Sequence, residues 1–211
     1  LGCLSGCRFY GIWVPHRTSL HVVYGAGKRP RPLPGICSHP WDGPVTRKPI
    51  WSVAECVQQV IHRHDAETGL IVMESAMNLE LLRPSGLPDL LAGLPAEQRQ
   101  IVRFLDVAES GSETRIRLFL RRLRVPVRPQ VAIPGIGHVD LLVGDKLIIE
   151  CDSDEYHRSK EQHRIDRQRD LAALELGYDK IRLTYHQIWM DWEATQNSLR
   201  HQLRRRRHLN R

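Results

Sequence analysis

Asp140, Glu150, Asp152, Asp154, Glu155 and His157 fall within one stretch, "GHVDLLVGDKLIIECDSDEYH", residues 137–157. Its apolar runs "VDLLV" and "KLIIEC" read as paired strands, and the second runs straight into acids. Carboxylates crowded at a strand end repel one another unless a cation or solvent relieves them. Two or three such acids make a hard-oxygen site suited to Mg²⁺ or Mn²⁺. A metal held there polarises a phosphodiester and lowers the pKa of a water. The plain alternative is an edge strand ending in solvated acids that discourage further pairing. Spacing leaves both open.

Register decides which acids meet. A two-residue turn at Gly144-Asp145 would pair Val143 with Lys146 and turn Asp140 away from Glu150. A three-residue turn, with Gly144 permitting a bulge, would pair Leu142 with Lys146 and change the parity. Val139, Leu141 and Val143 would then share a face with Leu147, Ile149 and Cys151. The other face would collect Asp140, Leu142, Ile148, Glu150 and Asp152. This second register segregates apolar residues better and is the one predicted, with Asp154 and Glu155 left to the loop.

The elements around this hairpin must position it. "ESGSETRIRLFLRRLRV" predicts a helix with capping-box spacing at Ser110 and Glu113. Its apolar stripe is Ile116, Phe119, Leu120 and Leu123, with arginines on the opposite side. Glu113 either caps this helix or delivers an acid toward the strands that follow. After "RPQVAI" and the hairpin, a helix runs from Ser159 to Leu176 and stops at Gly177. "KIRLTY" alternates as a strand, and "HQIWMDWEATQNSLRHQL" closes as an amphipathic helix through Ile188, Trp192, Leu199 and Leu203. Asp166, Arg169 and Asp170 share one helix face and can pair. Helix, three strands, helix, strand, helix predicts an α/β domain: a small mixed sheet flanked by helices.

Residues 1–107 differ in character and predict a smaller α+β domain. Gly and Pro punctuate the beginning, with short strands at "LHVVY" and "GICSH". From Trp51 onward the pattern is helical, with Val53, Cys56, Val57 and Val60 on one stripe. "GLIVMESAMNLELL" reads as a second helix stopped by Pro84, followed by two short helices in "SGLPDLLAGL" and "PAEQRQIVRFLDVAES". His62, His64 and Asp65 read as a polar cluster on an exposed helix end. The segment predicts a scaffold or recognition module with no catalytic constellation.

The 211 residues carry 5 cysteines, an odd count that fits a reduced compartment rather than a disulfide scaffold. Cys3 and Cys7 with Cys37 and His39 contain zinc-ligand types, but their spacing matches no common finger, and buried core thiols are the favoured reading. No apolar run is long enough to span a bilayer, and no signal peptide is evident, so the reading is cytoplasmic, without membrane contact. The net charge is +7. Arg115, Arg117, Arg121, Arg122, Arg124 and Arg128 crowd one segment, and residues 204–211 form a basic tail. Such clusters suit a polyanion, because each neutralised phosphate releases counterions.

Glu113 in a first helix, then "GHVDLLV", "KLIIECD", "EYH", and a helix carrying "DRQRD" before "LGYDKIRLTYHQI" resembles the Vsr-like (very-short-patch-repair-like) branch of the PD-(D/E)XK nuclease superfamily. The resemblance covers roughly residues 108–190. It implies a restriction-endonuclease-like fold over 108–203. The preceding region more weakly resembles the middle of AbiEi-type antitoxin-like proteins, which implies an N-terminal winged helix lacking from this chain.

Carried over by position, the resemblance makes Asp140 and Glu150 ligands of Mg²⁺ (or Mn²⁺), joined by the main-chain carbonyl of Cys151. Glu113 would orient the attacking water, and His157 would act as general base or phosphate contact. Asp166 and Arg169 would support the site, with Arg117, Arg121 and Lys160 toward phosphate. The pattern departs at Asp152, where superfamily members commonly carry a lysine that stabilises the nucleophile; His157 or a second metal would then serve that role. The implied activity is a Mg²⁺-dependent DNA endonuclease or nickase, in phage defence, mobile-element biology or repair, with RNA left open as a target. The competing reading is a catalytically inactive nuclease fold. It would serve as a nucleic-acid-binding antitoxin or regulator, or as a subunit of a nucleoprotein complex, with a protein partner or homo-oligomer.

Overall fold

The structure, a computed structural model, describes residues 1–15, 19–25, 29–41, 48–152 and 160–210, without the side chains of residues 97 and 160–163. It is a mixed α/β chain with small sheets flanked by helices. It divides into two compact units, Leu1–Gly111 and Ser112–Arg211. The sequence reading set the junction at 107/108.

In the first unit α1 (Cys3–Phe9) precedes two strands, β1 (Leu20–Gly25) and β2 (Ile36–Trp41). They pair in parallel, with Leu20 opposite Ile36 and Gly25 opposite Trp41. Next come α2 (Val53–Arg63), α3 (Ala66–Asn78), α4 (Leu87–Leu90) and α5 (Ala96–Arg99). Helix α2 starts where the sequence provides a reciprocal cap, Ser52 with Glu55. It buries Cys56, Val57, Val60 and Ile61, and α3 buries Leu70, Ile71, Val72, Met73 and Ala76. Asp65 caps α3 by accepting from the Thr68 N–H at 2.9 Å, so it is a structural acid. Helix α3 ends at Asn78, and Pro84 instead opens a short 3-10 turn.

The second unit runs α6 (Gly111–Arg122), β3 (Val127–Ile133), β4 (Gly137–Val143), β5 (Leu147–Asp152), α7 (Lys160–Glu175), β6 (Asp179–Thr184), α8 (Tyr185–Trp189) and α9 (Trp192–Arg204). Its sheet has the order β3-β4-β5-β6. The first three strands are antiparallel and β6 joins β5 in parallel. The final amphipathic segment is two helices, because Thr184 caps α8 and the chain breaks at Met190-Asp191 before α9.

The hairpin register has the predicted parity but a different pairing: Val143 faces Leu147 and Leu142 faces Ile148, leaving Gly144, Asp145 and Lys146 in the turn. Gly144 has φ +59°, the left-handed backbone its lack of a Cβ favours. Moving the pairing along by two preserves which side chains share a face. One core packs Leu141, Val143, Leu147 and Ile149 against Ile116, Phe119 and Leu120 of α6, Ile188 of α8 and Leu199 of α9, with Cys151 at its edge. The opposite face packs Leu142 and Ile148 with Ala173 of α7.

Two details correct the sequence expectation. Val139 belongs to the second core, with Leu142 and Ile148, rather than with Leu141 and Val143. The strand turns over at Asp140, beside Gln130, whose φ of +49° interrupts the neighbouring strand. Arg117 does not lie on the solvent side of its helix: it is 0% exposed, alongside Glu113 at 3%. Four residues apart, the two occupy the same helix face, where burial of a guanidinium requires a compensating anion.

The basic tail folds back. After α9, the His208 carbonyl accepts from the Asp145 N–H at 2.7 Å, and Arg207 pairs with Asp179 at 2.8 Å. A Cβ on Gly144 would sit 2.2 Å from that His208 carbonyl oxygen, so the close approach excludes any larger residue there. Among the described residues no helix is long and apolar enough to cross a membrane.

Candidate functional site

Strand pairing in the hairpin stops just short of Asp140, and the strand turns over there, so the predicted shared face does not carry Asp140 together with Glu150 and Asp152. Leu141 and Ile149 form the last paired step between β4 and β5. Beyond that step, where Asp140 lies one residue from Leu141 and Cys151 two from Ile149, the Cys151 N–H donates to the Asp140 carboxylate at 2.7 Å. A side-chain oxygen thus replaces the ladder carbonyl, which satisfies the amide and fixes Asp140 at the strand fork. Glu113 reaches the same region from the first turn of α6, its carboxylate accepting from Gln130 Nε2 at 2.8 Å. The Cys151 thiol registers the crowding: burial first, then the charges of Asp140, Glu113, Glu150 and Asp152, push it well above the usual thiol range.

Glu150 and Asp152 point to the face covered by α7, and cations from neighbouring elements meet them there. Glu150 faces Lys180 of β6 at 3.2 Å and Arg169 of α7 at 3.7 Å. The Lys180 contact lies off the hydrogen-bond direction and is an ion pair. Lys180 also reaches Asp170 at 2.8 Å. Arg182 lies 3.1 Å from Asp170, 3.8 Å from Asp152 and 3.9 Å from Asp166. Burial alone would raise the Asp170 carboxyl, but the adjoining Lys180 and Arg182 outweigh it and hold it below the usual carboxylate range.

The predicted supporting residues therefore act across elements. Asp166 and Asp170 engage Arg182 of β6. Arg169 donates from Nε to the Ile136 carbonyl at 2.9 Å and from its terminal nitrogen to the His138 carbonyl, clamping α7 onto the β3–β4 turn. Gly137, at φ +99°, lets the turn pass beneath that guanidinium. Arg115 lies over Trp189 and Trp192, 4.4 and 4.6 Å from their ring centres. Arg117 is buried and Arg121 half-buried, so neither is an open phosphate contact. His157 and the side chain of Lys160 lie outside the described residues, as do Asp154 and Glu155.

Sequence reasoning missed Lys180, Arg182 and Gln130. The alternation of "DKIRLT" does put Lys180 and Arg182 on one face; the parallel register that sets Lys180 beside Ile148 and Arg182 beside Glu150 carries no local signal.

The candidate donors are carboxylate and main-chain oxygens, the types that hard divalent cations take. Among the described residues, however, the acids do not form a group of three with ligand atoms mutually within 4.8 Å. The group that does is Cys3, His21, His39 and His64, in the first unit. Cys3 and His39 of the sequence grouping belong to it, Cys37 Sγ lies 3.5 Å from His39 Nε2 outside it, Cys7 is not part of it, and His64 leaves the exposed polar cluster expected at the end of α2. Ligand spacings of 18, 18 and 25 residues (3 to 21, 21 to 39, 39 to 64) explain why no motif was visible.

Comparison of the chain with protein-family models, with curated proteins and with solved structures finds no match in any of the three.

Proposed function

We propose that the second unit is a restriction-endonuclease-like domain that hydrolyses DNA phosphodiester bonds in a Mg²⁺- or Mn²⁺-dependent reaction. One observation carries the reading: the β4–β5 ladder opens at Asp140, whose carboxylate is pinned by the N–H of Cys151, the residue after Glu150 in β5. Asp140, Glu150 and the Cys151 carbonyl would hold the cation, which supplies water activation and charge neutralisation when bound. Glu113, held by Gln130, stands where an acid can orient an incoming water. Lys180 supplies, from the adjacent strand, the ammonium that Asp152 fails to supply in its own strand. At 3.2 Å from Glu150 it can stabilise negative charge developing beside that carboxylate.

The second reading, an inactive fold that binds nucleic acid, draws on the same ion pairs. Lys180 and Arg169 already neutralise Glu150, and a carboxylate so compensated has less need of a metal. Supercoiled and single-stranded DNA incubated with the protein and Mg²⁺ or Mn²⁺ separate the two. Nicking by the wild type that Glu150→Ala abolishes supports the enzyme. Equal DNA binding by both proteins, with no cleavage of any substrate by either, overturns it and leaves the binding protein.

A further inference from the structure

We propose that the first unit holds a structural zinc ion, bound by Cys3, His21, His39 and His64. The observation is independent of the proposed nuclease activity and lies in the other unit.

The four ligands come from four successive elements: Cys3 from α1, His21 from β1, His39 from β2 and His64 from the residue that ends α2. Cys3 Sγ lies 3.1 Å from His64 Nε2, and His21 Nδ1 lies 2.9 Å from His39 Nε2. All four ligand atoms are within 4.8 Å of one another. In a tetrahedral site, with Zn–N near 2.0–2.1 Å and Zn–S near 2.3 Å, neighbouring ligand atoms stand about 3.4–3.6 Å apart. The two close pairs would open by about half an ångström, and the other separations, all under 4.8 Å, would settle to the same spacing around the ion.

The rings give a second, separate measure. Three imidazoles bound through nitrogen to one tetrahedral ion place their ring centres about 5.2 Å apart, from the same bond length. The observed separations are 5.0 Å for His21–His39, 5.3 Å for His21–His64 and 5.4 Å for His39–His64. The contacts Cys3 with His64, His21 with His39, and Cys37 Sγ with His39 Nε2 at 3.5 Å do not of themselves require three rings at nearly equal spacing.

The surroundings hold the ligands in place, as outer groups do around metals. The Cys3 N–H donates to the side-chain oxygen of Gln59 at 2.7 Å, and Gln59 is itself 1% exposed. Cys3 has φ +51°, a left-handed backbone uncommon for a residue with a Cβ, so its thiol is aimed at some cost in local strain. His21 donates its main-chain N–H to Ser5 Oγ at 2.8 Å. Arg63 donates to the Pro40 carbonyl at 2.9 Å, bracing β2 just past His39.

One thiolate and three neutral imidazoles match zinc among the common biological metals, and four protein ligands leave no open position, so the role is structural. Binding breaks the S–H bond of Cys3 and the bonds from zinc to its waters, forms one Zn–S and three Zn–N bonds, and releases the proton and the waters to solvent. The ion would tie the two-stranded sheet to α1 and α2. Strand β2 is held by its pairing with β1 and by Trp41 against Trp51, and the ion would add an anchor at His39.

The test uses the full chain, produced with zinc in the medium, freed of any metal-binding tag and gel-filtered. The expected content is one zinc per chain by elemental analysis. The expected X-ray absorption fine structure shows one sulfur near 2.3 Å and three nitrogens near 2.0 Å. After exchange for Co²⁺, tetrahedral visible bands and a near-ultraviolet thiolate-to-cobalt band should appear. Cys3→Ser should abolish that last band, whereas Cys37→Ser and Cys151→Ser should keep it. Absence of stoichiometric metal, a shell with no sulfur or with two, or a charge-transfer band that survives Cys3→Ser overturns the proposal. The absorption measurement needs only wild-type protein, so it decides even where a variant does not fold.

Discussion

Asp140 serves structure and proposed chemistry at once, and two substitutions pull these apart. Its carboxylate is the acceptor for the Cys151 N–H at 2.7 Å, at a point where the ladder provides no carbonyl. Asp140→Ala strands that part-buried amide, and an unsatisfied donor costs about 1–3 kcal/mol. The second unit has about 100 residues, so a loss near 2 kcal/mol lowers its unfolding midpoint by about 8–16 °C. Asp140→Asn keeps an oxygen at the same place and loses only the charge assistance, about 1 kcal/mol or less. Calorimetry of both variants reads the stability difference, and plasmid nicking in Mg²⁺ reads the chemistry. Both variants should be inactive, but only the alanine variant should unfold early. An alanine variant as stable as wild type refutes the structural argument. An asparagine variant that still cuts refutes the assignment of Asp140 to metal.

Lys180→Met should cost about 2 kcal/mol in urea unfolding, because it leaves Glu150 and Asp170 without their shared ammonium. The full 3–5 kcal/mol of a broken buried pair is reduced by the 44% exposure of Asp170 and by the remaining Arg169 and Arg182. Adding Glu150→Gln should recover about 1 kcal/mol, and strict additivity in that cycle would rule out the pairing. Burial holds the His208 imidazole below its ordinary value of 6.5, with Arg206 adding to the shift against Asp145. The neutral ring is thus favoured in the folded state, so its contribution is complete above pH 6.5 and is lost as pH falls through the lowered folded value. Limited proteolysis of the tail should accelerate across that window, and His208→Gln should flatten the dependence; an unchanged profile contradicts it.

Much of the second unit is legible because its signals are local. Alternation marks β3 to β6, and Gly177 at φ +80° stops α7 as its position suggests. Parity in the hairpin is also legible, since one apolar face must be buried and a slip of one residue would expose it. The pairing itself is not, because a shift of two leaves the faces unchanged. Long-range partners escape for a different reason. Whether Glu150 meets a metal or Lys180 depends on where β6 docks, and nothing in "KLIIECD" encodes that. The Cys/His cluster is the extreme case: each ligand is ordinary in its own segment, and only the fold makes them a group.

The arginines show why a charge count misleads when it is converted directly into a binding surface. Six of them crowd residues 115–128, yet they do not share an environment. Arg115 spends its cation on two indole faces, an interaction that also covers Trp189 and Trp192. Arg117 is inside the fold, one helix turn on from Glu113 and on the same face. In the next helices and strands Arg169 and Arg182 belong to the acids of α7 and β5, and Arg207 belongs to Asp179. What stays exposed in the crowded segment is Arg122, Arg124 and Arg128, at the end of α6 and the start of β3. Of the six in that segment, those three are the ones a polyanion in solvent would meet first.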